Sequence, residues 1–110
     1  MSGVSYAQSP RVQELSAAMF GQRHRLAVMA AIAQSDGMIN PSELVEALGF
    51  RAQSSIQKAL TSLVETHLVT RISVHGRVYY KREPSAAWDF ALELLAKALA
   101  DDPALHTGGQ

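Results

Sequence analysis

The side chains able to do chemistry in this chain fall into one helix face, one basic ribbon and four scattered histidines. Gln53, Ser54, Gln57, Lys58 and Thr61, with Ser55 near their N-terminal edge, lie opposite a stripe of Ile56, Ala59, Leu60 and Leu63. That stripe has the i, i+3, i+4, i+7 spacing of a helix pressed against a core, and it predicts a helix over about 52–66. The polar side carries short or medium hydrogen-bonding groups, one cation and no carboxylate before Glu65. Such a set suits a groove lined with acceptors and phosphates, although an ordinary solvated helix face has the same composition. The stretch from Arg71 to Arg82 adds Arg71, Arg77, Lys81 and Arg82 with no acidic residue between them.

Bond-making chemistry finds no foothold. There is no cysteine, which excludes disulfides, thiolate metal sites and cysteine nucleophiles. His24, His67, His75 and His106 have no zinc-ligand spacing. Ser54 and Ser55 have no identifiable histidine and acid partners, and Gly108-Gly109 is a tail dipeptide, not a phosphate loop. The sequence therefore predicts no enzyme, no metal and no cofactor. Trp88 and Phe90 could line a pocket, but packing explains them more simply.

The elements that must position the polar face are well marked. Asn40 is a strong N-cap, Pro41 sits where a missing N–H costs nothing, and Glu43 is placed to complete a capping box. Ile39 and Leu44 form a hydrophobic staple, Leu44 and Leu48 face the core, and Gly49 ends this helix. Upstream, Ser9-Pro10 starts a helix bearing Val12, Leu15 and Met19. Gly21 breaks it, and a second helix is predicted over about 22–34 with Leu26, Met29, Ala30 and Ala33 on one face. Met38-Ile39 could form a short strand. Downstream, a β-hairpin is predicted over about 69–82. A three-residue loop of Val74, His75 and Gly76 would place Thr70, Ile72, Val78 and Tyr80 on an inner face, leaving Arg71, Ser73, Arg77, Tyr79 and Lys81 outside.

A final helix over 86–100, capped by Ser85, carries its strongly polar residues Asp89, Glu93 and Lys97 on one narrow stripe. Trp88, Phe90, Leu92, Leu94, Leu95 and Leu99 surround that stripe, so the helix needs cover on more than one side. A second subunit would provide it in a symmetric dimer, with Val12, Leu15, Met19, Trp88, Leu92, Leu95 and Leu99 at the interface. The alternative is a helix wedged between the first two helices of its own chain.

Length allows one domain, expected over 9–100, with a flexible lead-in over 1–8 and a tail over 101–110. Neither an export signal nor a membrane-spanning run is visible, which makes a soluble cytoplasmic protein the expectation. Net charge is zero but segregated. Between Phe20 and Arg82 eight basic residues stand against four acidic, a net of +4, and the remainder carries two against six, or −4. Segregated charge of this kind can mark an electrostatic footprint.

Together the order helix, turn, helix, basic hairpin resembles bacterial winged helix-turn-helix regulators, nearest to the ArsR type and more distantly the MarR type. The resemblance spans about residues 12–100. Its carriers are Arg23 and Arg25 flanking His24, the run Ser42–Gly49 (SELVEALG), Gln53–Leu60 (QSSIQKAL) and Gly76–Tyr80 (GRVYY). It implies a mainly α fold with a small β-hairpin, and a homodimer joined through its terminal helices. It also implies sequence-specific binding of double-stranded DNA in transcriptional regulation, with the 52–66 helix in the major groove and the hairpin as a wing on the backbone or, through Arg77, in the minor groove. Gln53, Ser54, Ser55, Gln57 and Lys58 would then approach bases or nearby phosphates. Thr61, Arg71, Arg77 and Lys81 would hold the backbone. The chain departs from the family in lacking cysteines before the turn and histidines beside Asp89 and Glu93, so metal sensing has no support, and any small-molecule effector is undefined. His67 stands at a helix end where the family commonly has glycine. A winged-helix module that binds protein instead of DNA is the alternative, favoured by neutral total charge and the single lysine on the reading face.

Overall fold

A computed structural model describes residues 5–101 of the chain; His106, Gly108, Gly109, the lead-in 1–4 and the tail 102–110 lie outside the described residues. Over that span the fold is mainly helical, with five α-helices and a three-stranded antiparallel sheet. The Ser9 hydroxyl accepts the Val12 amide and Pro10 opens α1 (Pro10–Phe20), which Gly21 ends with a φ of 76°. Helix α2 (Arg25–Ala33) begins at Arg25 and not at Gln22. The cause is Ser16, a fully buried hydroxyl that donates to the Gln22 carbonyl and accepts the Leu26 amide at 2.9 Å. One side chain thereby satisfies both lips of the turn.

Strand β1 (Met38–Ile39) leads into α3 (Pro41–Ala47). The Asn40 carboxamide accepts from the Ser42 and Glu43 amides as expected, at 2.8 and 3.2 Å, but the Glu43 carboxylate does not accept the Asn40 amide in return. Gly49 adopts a φ of 74°, and the Phe50 amide returns to the Val45 carbonyl at 3.0 Å, closing a Schellman turn. Helix α4 (Ser54–Glu65) buries Ile56, Ala59, Leu60 and Leu63, the stripe anticipated from spacing. His67 follows at φ 63°, in the left-handed region that disfavours a side chain, with the Leu68 amide bonded to the Leu63 carbonyl.

Strands β2 (Val69–Val74) and β3 (Arg77–Arg82) pair with Val74 opposite Arg77. The loop is therefore the two residues His75 and Gly76, with φ of 51° and 78°, and the three-residue loop expected from face segregation does not form. Two successive positive φ values match the twist of the flanking strands. Segregation exerts little pull at the tip, where Val74 is exposed. Arg71 and Ser73 consequently share a face with Val78 and Tyr80, while Thr70 and Ile72 join Arg77, Tyr79 and Lys81 on the other. The core side of the sheet is read from Ile39, Val69 and Tyr80, all buried.

Arg82 lies on that core side. Its Nη1 donates to the carbonyls of Ile32, Ala33 and Ser35 at 2.8, 3.0 and 3.1 Å, closing the C-terminal end of α2. One of the four cations of the ribbon is thus a structural clamp.

Helix α5 (Ala86–Ala100) packs along α2 and against α1, burying Trp88, Ala91, Leu95 and Ala98. The Trp88 indole N–H donates to the Glu83 carbonyl at 2.7 Å. Of the residues assigned to a partner interface, Val12, Trp88 and Leu95 are covered by their own chain, and Leu15, Leu92 and Leu99 are half covered. Met19 is 53% exposed and Phe90 40%. The presumed lead-in also needs correction, because Tyr6–Gln8 form a 3₁₀ turn with Ala7 buried and Gln8 bonded to the Leu48 carbonyl.

Replacing Arg82 with Gln leaves the end of α2 without its charged donor and should lower unfolding stability by about 2 kcal/mol. Lys81→Gln, on the outer face, should cost roughly 0.5 kcal/mol or less. Urea denaturation of the two variants measures the contrast.

Candidate functional site

Helix α4 presents the polar face and its neighbours frame it. Gln53, Ser54, Gln57, Lys58 and Thr61 are exposed, and Ser55 is half-buried at the edge. The helix starts at Ser54, and Gln53 precedes it without capping it. Instead its Nε2 donates to the Ser42 hydroxyl at 3.0 Å, tying the start of α4 to the first turn of α3.

Two open grooves flank this face. One, of about 310 Å³, gathers Gln53 with Asn40, Ser42, Arg77 and Val78. The other, of about 530 Å³, runs along Ser54, Gln57, Lys58 and Thr61 and is walled by Gln22, in the turn before α2, and by Arg25 at the start of α2. The structure therefore brings Arg77 beside Gln53, at the start of α4. It separates Arg71 from Arg77 and Lys81, placing Arg71 on the opposite face of the ribbon. Lys81 is exposed beside Met38, four residues down the strand from Arg77, or about 13 Å.

Among the described residues the cations here have no ion-pair partner. Among the described residues the ion pairs are Arg11–Glu14 and Arg11–Asp101, at 3.2 and 3.5 Å, both on the α1–α5 side. Arg25, Lys58, Arg71, Arg77 and Lys81 have no such carboxylate partner. Gln22 and Arg25 were not legible as site residues. Arg25 stands in the Arg23-His24-Arg25 cluster, but nothing local reveals that the start of α2 lies against α4.

His24 joins the two turns beneath this surface. Its ring lies against Phe50, with centroids 4.6 Å apart and planes tilted by 57°. Its buried Nδ1 has no hydrogen-bond partner. Burial first, and the Arg23 charge second, hold its pKa below the ordinary 6.5. Among the described residues no cluster of three or more His, Cys, Asp or Glu could hold a metal ion, and no helix is long and apolar enough to cross a membrane. Compared with protein-family models, curated proteins and solved structures, the chain gives no match.

Because the folded pKa of His24 is depressed, the unfolded chain binds more protons once pH falls below about 6.5. Stability is therefore fully present above that pH and declines as pH falls toward the folded pKa. The urea midpoint should drop between pH 7.5 and 5.5, and His24→Gln should remove part of that drop.

Proposed function

We propose that this chain is a winged helix-turn-helix protein that binds double-stranded DNA as a homodimer and regulates transcription, with no catalytic activity of its own. In this reading α3 and α4 are the helix-turn-helix, α4 enters the major groove, and the β2–β3 hairpin is the wing. The observation that carries it is the α4 surface. A face free of carboxylates from Gln53 to Thr61 stands beside two grooves, and each groove holds an arginine with no ion-pair partner among the described residues. Gln57 has the paired donor and acceptor that recognise adenine, and Lys58 donates to the acceptors of guanine. Gln53 is already bonded to Ser42, so it positions α4 as well as facing the groove. Arg77 and Lys81 suit backbone contacts on one face of the wing, and Arg71 on the other. A cytoplasmic location belongs to the same reading.

Dimerisation supplies the strength that one neutral chain lacks. Exposed Met19 adjoins Phe20, whose ring meets exposed Phe90 edge to face at 6.4 Å. This patch on α1 and α5 supports a symmetric contact, with half-covered Leu15 one turn before Met19; Leu92 and Leu99 lie on the opposite side of α5 from Phe90 and outside it. Two copies would set their α4 helices roughly 34 Å apart for a near-palindromic site. A protein-binding module is the second reading, favoured by zero net charge and by Val74 exposed at the hairpin tip.

Titrating the protein into labelled duplex DNA at several salt concentrations separates the two. With about three or four phosphate contacts per subunit, log affinity should fall against log salt with a slope of about −5 to −7. Arg77→Ala removes one phosphate contact per subunit and should flatten that slope by about 1.8, and adding Lys58→Ala should weaken binding further. Binding that ignores salt, or survives the double substitution, excludes DNA as the partner. Light scattering should give a dimer mass that falls by half in Met19→Lys with Phe90→Lys. Truncation is a poorer test, because α5 carries core residues.

A further inference from the structure

We infer that the groove between the start of α2 and α4 is a seat for a phosphate of the duplex, with Arg25 as its principal ligand. The inference rests on the proposed DNA reading and deepens it. Two cations from different elements, Arg25 and Lys58, line one open groove, together with the hydrogen-bonding groups of Gln22, Ser54 and Thr61. Neither cation has a carboxylate partner among the ion pairs of the described residues. Glu65 closes the groove at the far end of α4, seven residues beyond Lys58, or about 10 Å along the helix.

Arg25 differs from a free surface arginine. Its Nε is enclosed and has no hydrogen-bond partner, and the residue is half-buried. Part of the side-chain freedom that an exposed arginine would lose on binding is therefore already lost on folding. Its planar fork matches two phosphate oxygens at once, whereas Lys58 offers a point charge. Arg77 lines a separate groove, beside Gln53 at the N-terminal end of α4.

The test is the salt dependence of duplex binding by the full chain and three variants, with thermal melting to confirm folding. Arg25→Gln should flatten the slope by about 0.9 per subunit, or about 1.8 for the dimer. Arg25→Lys keeps the charge, so it should retain the slope while losing affinity severalfold through the missing second hydrogen bond. Glu65→Gln removes the opposing carboxylate and should bind roughly twofold tighter per subunit. A wild-type slope in Arg25→Gln, with Arg77→Ala and Lys58→Ala still weakening binding, overturns the seat and leaves the DNA reading intact. No salt-dependent binding by the wild-type chain overturns both. Should Arg25→Gln fail to fold, Glu65→Gln decides: tighter binding supports the seat, and unchanged affinity overturns it.

Discussion

The guanidinium of Arg82 on the last carbonyls of α2 holds this molecule in register. Three acceptors at the negative end of a helix meet one cation from the last residue of β3. The same residue's amide bonds to the Gly37 carbonyl at 2.8 Å, so the turn after α2, the helix end and the sheet meet at one point. Because side chains alternate along a strand, fixing Arg82 inward fixes Tyr80 and Val78 inward, and Lys81, Tyr79 and Arg77 outward. The position of the hairpin relative to α4 follows from that alternation. Arg77, on the face opposite Arg82, lines the groove beside Gln53.

Local chemistry made most of the elements legible. Asn40-Pro41, Gly49, Ser85 and the Ile56–Leu63 stripe each specify an element by capping or periodicity, and each is found where those rules place it. Long-range contacts were not legible. Ser16 looks like an ordinary mid-helix serine until the turn that it bridges is seen, so the start of α2 was placed too early. The hairpin register was misjudged because face segregation was given weight at a tip where neither face is covered, and backbone twist decided instead. Arg25 went unassigned because its importance depends on α2 lying against α4. The terminal helix shows both halves of its ambiguity. Its stripe of Trp88, Ala91, Leu95 and Ala98 is covered by its own chain, while Phe90 remains in solvent.

Zero net charge conceals an asymmetric molecule. Arg11 is engaged by Glu14 and Asp101, and Asp89 and Glu93 are exposed on α5. Among the described residues, the cations of α4, the outer face of the hairpin and the start of α2 have no such carboxylate partners. A polyanion would meet such a molecule from one side, because the field orients it before contact. Under this account Arg82 belongs to the fold, Arg25, Lys58 and Arg77 to recognition, and the α1–α5 patch to assembly.

The most direct test of that division is a map of backbone amide shifts in the ¹⁵N-labelled protein as a mixed-sequence duplex is added at low salt. The account predicts that the largest changes fall on Gln53–Thr61, on Arg25 and along Arg77–Lys81, with the amides around Met19 and Phe90 undisturbed. Changes concentrated on α1 and α5, or none on α4, would contradict it.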